Sequence, residues 1–143
     1  MQSVVFGEKH DEKLEVVVHG YERAITGEYY DDNWLRAEVI IHCGAFCGTF
    51  HAEFLTREFE SFQEQLITLY KTLRGEAQFR SNEGQLLLVL DGDGLGHIQL
   101  KGKALDQFGI GNCLSFSFCI DQTQLNSSLQ SLRAMLTSYP VRN

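Results

Sequence analysis

Two short stretches gather side chains that could hold a metal. His42, Cys43, Cys47 and His51 supply two imidazoles and two thiols within ten residues, the donor types of a tetrahedral zinc site. Their spacing works against it. Residues 35–42 alternate apolar and polar, so they belong on a strand, where neighbours such as His42 and Cys43 project from opposite faces. Neither pair has the two-residue gap of a zinc knuckle. Cys43, Cys47, Cys113 and Cys119 all fall in strand segments or their turns and are expected as free thiols in a reducing compartment. The second stretch, Asp91-Gly92-Asp93-Gly94-Leu95-Gly96, opens like a calcium loop, but Gly102 stands at the twelfth place, where a bidentate Glu is required. A hairpin turn using glycine for positive φ explains it better. Its glycines do not form a dinucleotide loop either, because no amphipathic helix follows. His10, His19, His42, His51 and His97 lack a serine or cysteine neighbour in any recognisable nucleophile context. The expectation is therefore no metal, no cofactor and no catalytic residues.

The elements that would position these side chains centre on residues 35–75. Leu35, Ala37, Val39 and Ile41 share one strand face, and after a turn between Gly44 and Gly48 the return strand alternates Phe50, Ala52 and Phe54. Thr56 then reads as a helix N-cap. Phe59, Phe62, Leu66, Leu69 and Leu73 recur at three- and four-residue spacings, one helical stripe, with Gly75 as its stop. Upstream, residues 14–19 alternate as a strand and 21–30 show no period. Asp31-Asp32-Asn33-Trp34 reads as a turn whose tryptophan folds over the sheet, or alternatively as a recognition patch. Downstream come a short strand at Ala77 and Phe79, then residues 86–90, apolar on both faces and so expected to be covered on both sides. Strands at 97–105 and 113–120 follow. Asp121 and Gln124 have the spacing of a capping box, and Leu125, Leu129, Leu132 and Leu136 supply a second helical stripe. The two halves look alike. The sum is an α+β fold, a mostly antiparallel sheet of about seven strands with two amphipathic helices in the order βββ-α-ββββ-α. One domain, residues 1–143, is expected, with 1–13 loosely ordered.

Charge narrows the function classes. The net charge is −7, and the first 32 residues hold eight acids against three bases. A free-standing nucleic-acid binder would cluster Lys and Arg instead, so direct nucleic-acid binding is disfavoured. A basic protein partner suits such a surface. The apolar runs are too short to cross a bilayer. The start lacks the basic lead and apolar block of an export signal, so a cytoplasmic protein is expected.

Several spaced features recur together: Asp31-Asp32-Asn33-Trp34-Leu35, Gly44-Ala45-Phe46 with Gly48-Thr49-Phe50, Phe59 and Phe62 with Leu66, Leu69, Tyr70, Leu73 and Gly75, Gly94-x-Gly96-His97, Asp121-Gln122-Thr123-x-Leu125, and the end Tyr139-Pro140-Val141-Arg142. In this combination the sequence resembles the bacterial WapI-type immunity protein family over residues 14–142. The resemblance implies a small binding protein that neutralises the toxic domain of a contact-dependent polymorphic toxin, a tRNA-cleaving nuclease in the namesake system. It carries over Asn33-Trp34 and Asp121-Gln122-Thr123 as fold markers only. Glu28, Asp31, Asp32 and Trp34 are the candidate partner-binding residues. The alternatives are a ligand-binding or enzymatic domain with a pocket between sheet and helices, and a homo-oligomer joined along a strand edge.

Overall fold

Alternation and helical stripes become eight strands and three helices in the computed structural model, which describes residues 1–9 and 11–143. His10, one of the histidines considered above, lies outside the described residues. In chain order the elements are β1 (Gln2–Lys9), β2 (Glu12–Tyr21), α1 (Tyr29–Asp32), β3 (Trp34–Cys43), β4 (Phe46–Leu55), α2 (Thr56–Thr72), β5 (Arg74–Arg80), β6 (Leu86–Asp93), β7 (His97–Gln107), β8 (Ile110–Asp121) and α3 (Gln122–Ser138). The class is α+β and the two long helices fall where expected. The strands, however, form two four-stranded antiparallel sheets, β1-β2-β3-β4 and β5-β6-β7-β8, rather than one sheet of about seven. The additional strand is β1, within the segment expected to be loosely ordered. Val4 and Phe6 are buried, and Val4 lies opposite Val16 in β2. Two apolar residues on one face suffice to pin a strand that has a paired neighbour.

Each half is thus four strands and a helix, and each helix packs on the first strand of the other half, α2 on β5 and α3 on β1. That exchange satisfies two sheet edges. The Gln65 amide of α2 pairs with Gln78 of β5 as a neighbouring strand would, accepting from its N–H (2.9 Å) and donating to its C=O (3.2 Å). On β1, the Val5 N–H donates to Ser131 Oγ (3.3 Å), and Ser128 Oγ donates to the Val5 carbonyl (2.6 Å). Buried Gln85 ties the sheets together by donating to the carbonyls of His51 in β4 (3.3 Å) and Leu105 in β7 (3.1 Å). Edge backbone left without partners invites strand addition, so these side chains have a protective role.

The helix ends differ from the simplest expectation. Leu55, not Thr56, is the extended residue before α2, and its N–H is bonded by Glu58 Oε1 at 2.7 Å. Thr56 is instead the first helical residue and is buried. At the other end Leu73, with φ of 60°, takes the left-handed cap position two residues before Gly75, the expected stop. Its carbonyl accepts from Gly94 N–H at 2.7 Å, so the β6–β7 hairpin holds it in place. For α3 the capping box forms as read: Asp121 Oδ1 accepts from Gln124 N–H (2.8 Å) and Gln124 Oε1 from Asp121 N–H (2.9 Å). Between sheets and helices the space is filled, with Phe54, Phe59, Phe62 and Phe79 stacked at ring separations of 5.0 to 5.6 Å. No described helix is long and apolar enough to cross a membrane.

The Leu73 turn presses on Gly92, where an added Cβ would lie 2.4 Å from the Leu73 carbonyl oxygen. The obstacle is backbone, with Leu69 Cδ1 also 3.0 Å away, so the turn itself would have to shift. Gly92→Ala should cost about 1–3 kcal/mol, the usual range for overpacking, measurable as a lower urea midpoint with an unchanged slope.

Candidate functional site

The segment between β2 and β3, residues 22–33, contributes no side chain to the apolar core. It is held by polar contacts instead. Glu22 N–H donates to the Trp34 carbonyl (2.8 Å), closing the segment at its base. Within it, Thr26 donates from N–H (2.7 Å) and hydroxyl (2.8 Å) to Asp32 Oδ1, and Gly27 N–H donates to Oδ2 (2.9 Å). These bonds, the Thr26 N–H foremost, hold the Asp32 carboxyl below its usual range.

Next to it, Asn33 is fully buried and uses all four of its amide positions. Its Nδ2 donates to the carbonyls of Tyr29 (2.7 Å) and Arg142 (2.8 Å), while Oδ1 accepts from the Thr56 hydroxyl (2.7 Å) and the Arg142 N–H (2.8 Å). One side chain therefore joins α1, the start of α2 and the C-terminal tail. The tail is further clasped where the Tyr21 hydroxyl donates to the Pro140 carbonyl and the Arg142 guanidinium stacks 3.4 Å from the Tyr21 ring centroid.

This framework displays a surface. Ile25, Tyr29 and Tyr30 are exposed by 70%, 39% and 55%, an apolar and aromatic content unusual for a loop facing water alone. Arg57 of α2 lies over the Tyr30 ring at 4.7 Å. Of the residues predicted to meet a partner, Glu28 and Asp31 are exposed, Asp31 being 3.8 Å from Arg23. Trp34 is half-buried at the start of β3, opposite Leu55. Asp32 is buried, with both oxygens occupied by its own loop, and presents nothing outward.

Folding adds acids that sequence order keeps apart. Glu22, Glu53 and Glu83 line an open cleft of about 500 Å³ together with His19, His51 and Arg36. Burial raises the Glu53 pKa, reinforced by the neighbouring Glu22 and Glu83 carboxylates. Among the described residues Glu22 Oε2 finds no hydrogen-bond donor, and it sits 3.8 Å from Arg36 Nε. Burial likewise raises Glu58, against the lowering effect of the Leu55 N–H. The three acids of the cleft come from just past the end of β2, from β4 and from the β5–β6 turn, and no local pattern announces their convergence. The N-terminal acids, in turn, divide. Asp11 and Glu12 lie at the opposite end of the first sheet, beside Gly44.

Of the four zinc-like residues only His42 and Cys47 are brought together. His42 lies directly across from Cys47, Cys43 across from Phe46, and His51 across from Glu38. Among the described residues no three His, Cys, Asp or Glu side chains come together in a metal-binding arrangement. Asp93 in the β6–β7 hairpin accepts from Leu95 N–H (2.7 Å) and contacts His97 Nδ1 (2.9 Å).

The Immunity protein WapI-like family matches residues 5–140, from within β1 to beyond α3. The chain belongs to that family. Among curated proteins none matches it. The markers noted for WapI-like chains acquire a physical meaning here. Asn33 of the Asn-Trp pair and Arg142 of the terminal segment are bonded to each other across 109 residues, and Asp121-Gln122-Thr123 opens α3 with its cap.

Removing the Asn33 amide leaves partners from three elements unsatisfied. Asn33→Ala should therefore destabilise the protein by about 2–4 kcal/mol, and hydrogen exchange at the Arg142 amide should rise with it. Asp32 gives a pH signature. Its pKa is lower folded than unfolded, so its contribution is present above the unfolded value of about 3.9 and is lost as pH falls through the folded value. Exchange at the Thr26 and Gly27 amides should quicken over that acid window in the wild type, and Asp32→Asn should remove the dependence.

Proposed function

We propose that this WapI-like chain binds and neutralises a basic toxin domain through the surface formed by residues 22–31 and the neighbouring acidic cleft. The supporting observation is the meeting of Glu22, Glu53 and Glu83 in one cleft, Glu22 opening the same segment that exposes Glu28, Asp31, Ile25, Tyr29 and Tyr30. Aromatic anchors surrounded by charge are the usual make-up of an energetic centre in a protein interface. Opposite charge speeds encounter and selects partners. A nuclease that grips phosphates must carry cations where its substrate lies, so an acidic face suits occlusion of that groove. Trp34, half-buried at the start of β3 where its carbonyl accepts from the Glu22 N–H, adjoins this segment and is counted with the surface. The filled Phe54, Phe59, Phe62 and Phe79 interior weighs against a ligand pocket between sheet and helices.

The test is binding of the toxin domain encoded beside this chain, followed by calorimetry. The Asp31→Lys/Glu53→Lys variant should bind at least about tenfold more weakly, whereas Asp11→Lys/Glu12→Lys, at the far end, should bind as the wild type does. Equal affinity of the first variant, with its fold intact, would remove this surface from the interface. pH provides an independent check. Because the Glu53 pKa is raised by burial and by Glu22 and Glu83, the free protein takes up a proton there above the ordinary Glu value of about 4.3. Affinity for a cationic partner should thus decline as pH falls through that raised value, and Glu53→Gln should bind more weakly at neutral pH with less pH dependence. In the isolated protein the sign is opposite. The raised pKa favours folding at low pH, and that contribution fades as pH rises through the folded value.

A further inference from the structure

Residues 86–90 are apolar on both faces, yet only one face of β6 is covered by protein. Leu86, Leu88 and Leu90 point into the core, while Leu87 and Val89 lie half-buried on the outer face of the second sheet. The strand register builds two rows across that face. One row runs Arg80, Leu87, Lys103, Ser115; the next runs Gln78, Val89, Lys101, Ser117. Together they bound a depression of about 510 Å³, a volume within the range of about 300–1,000 Å³ common to small-molecule sites.

Its charge is opposite to that of the protein as a whole. Arg80, Lys101 and Lys103 are exposed, no carboxylate occurs in either row, and among the described residues no ion pair engages any of the three cations. Neighbouring strands lie about 4.8 Å apart, so Arg80 and Lys103 flank Leu87 closely enough to share one anionic group. Ser117 accepts from Gln99 Nε2 at 3.4 Å, which leaves its own hydroxyl proton to donate. In the third row stand Glu76 and Asp91, which close the basic area after two rows. A long acidic polypeptide would run onto those carboxylates; a short molecule would not.

The geometry assigns this face as a binding site for a small amphiphilic anion, its apolar body on Leu87 and Val89 and its carboxylate, sulfonate or phosphate among Arg80, Lys101 and Lys103. The site is separate from the surface proposed for the toxin and does not depend on that proposal. Titration of the full chain with the fluorescent sulfonate 1-anilinonaphthalene-8-sulfonate tests it. Saturable binding at one site is expected, displaced by decanoate but not by the equally long neutral decanol. Lys101→Glu/Lys103→Glu should weaken it about tenfold, and Lys101→Arg/Lys103→Arg should retain it. Leu95→Ser/Phe108→Ser, which removes exposed apolar side chains at the β6–β7 and β7–β8 hairpin tips, should leave binding unchanged. Absence of saturation, equal binding by the Glu variant, loss in the Leu95/Phe108 variant or equal displacement by decanol would each overturn the assignment.

Discussion

A carboxamide has four hydrogen-bonding positions, and Asn33 engages all of them with protein groups drawn from α1, α2 and the tail. A buried amide is stabilising only when it is fully satisfied, because each unpaired position costs about 1–3 kcal/mol. The three elements must therefore arrive together or not at all. That condition fixes residues 22–33 although they contribute little to the core. It also fixes their neighbours, since Thr56 begins the helix carrying Arg57, which in turn lies over Tyr30. A loop with exposed tyrosines would ordinarily be free to collapse onto nearby apolar surface. Here the Asp32 contacts within the loop and the Asn33 contacts below it hold the tyrosines outward, so less conformational entropy is lost when a partner binds.

The exchange of helices between the halves has a related consequence. A four-stranded meander has two open edges, and two meanders have four. The Gln65 amide covers one point on β5, the Ser128 and Ser131 hydroxyls one on β1, and the Gln85 amide one on β4. Each contact uses a side chain long or mobile enough to imitate a strand's own backbone. Because each helix serves the other half, neither half is complete alone, which favours folding of both as a unit. Sheet formation within each half is local, with neighbouring strands in sequence paired in space, and α2 meets the strand that follows it, while α3 on β1 supplies contacts of long sequence separation, 126 residues from Val5 to Ser131.

Periodicity made most of this architecture readable. Alternation located β3, β4, β7 and β8, stripes located α2 and α3, and the Asp121 cap was read correctly because its box is local. Three features are not legible. β1 is hidden because Val4 and Phe6 are too few to stand out beside a charged run, although pairing with β2 suffices to bury them. The end of α2 is hidden because Leu73 takes a conformation that favours glycine, held by a hairpin some twenty residues further along. For the site, Asp31 and Asp32 look equivalent in sequence, yet one faces water and the other is consumed by Thr26 and Gly27. Adjacent residues at the end of a short helical turn point in different directions, and only the path of the preceding loop decides which is enclosed. Glu53 and Glu83 joined the surface through tertiary contacts that have no local signature.

Net charge conceals the arrangement that matters most. At −7 the protein as a whole would attract any cationic body, and beyond a Debye length of about 8 Å at physiological salt that attraction is largely screened. Discrimination must then come from charges close to the contact. Those charges are not spread evenly. Glu22, Glu53 and Glu83 share one cleft, where burial first and the neighbouring carboxylates second raise the Glu53 pKa, while Arg80, Lys101 and Lys103 surround an apolar depression on the other sheet. Like charges packed together destabilise the isolated fold, so such crowding has a cost that a neutral surface would avoid. A cationic partner brought against the cleft relieves that repulsion as well as adding its own attraction, and both gains appear only in the complex. A protein that is merely kept soluble by its charge gains nothing from this clustering; one that must recognise a basic surface does.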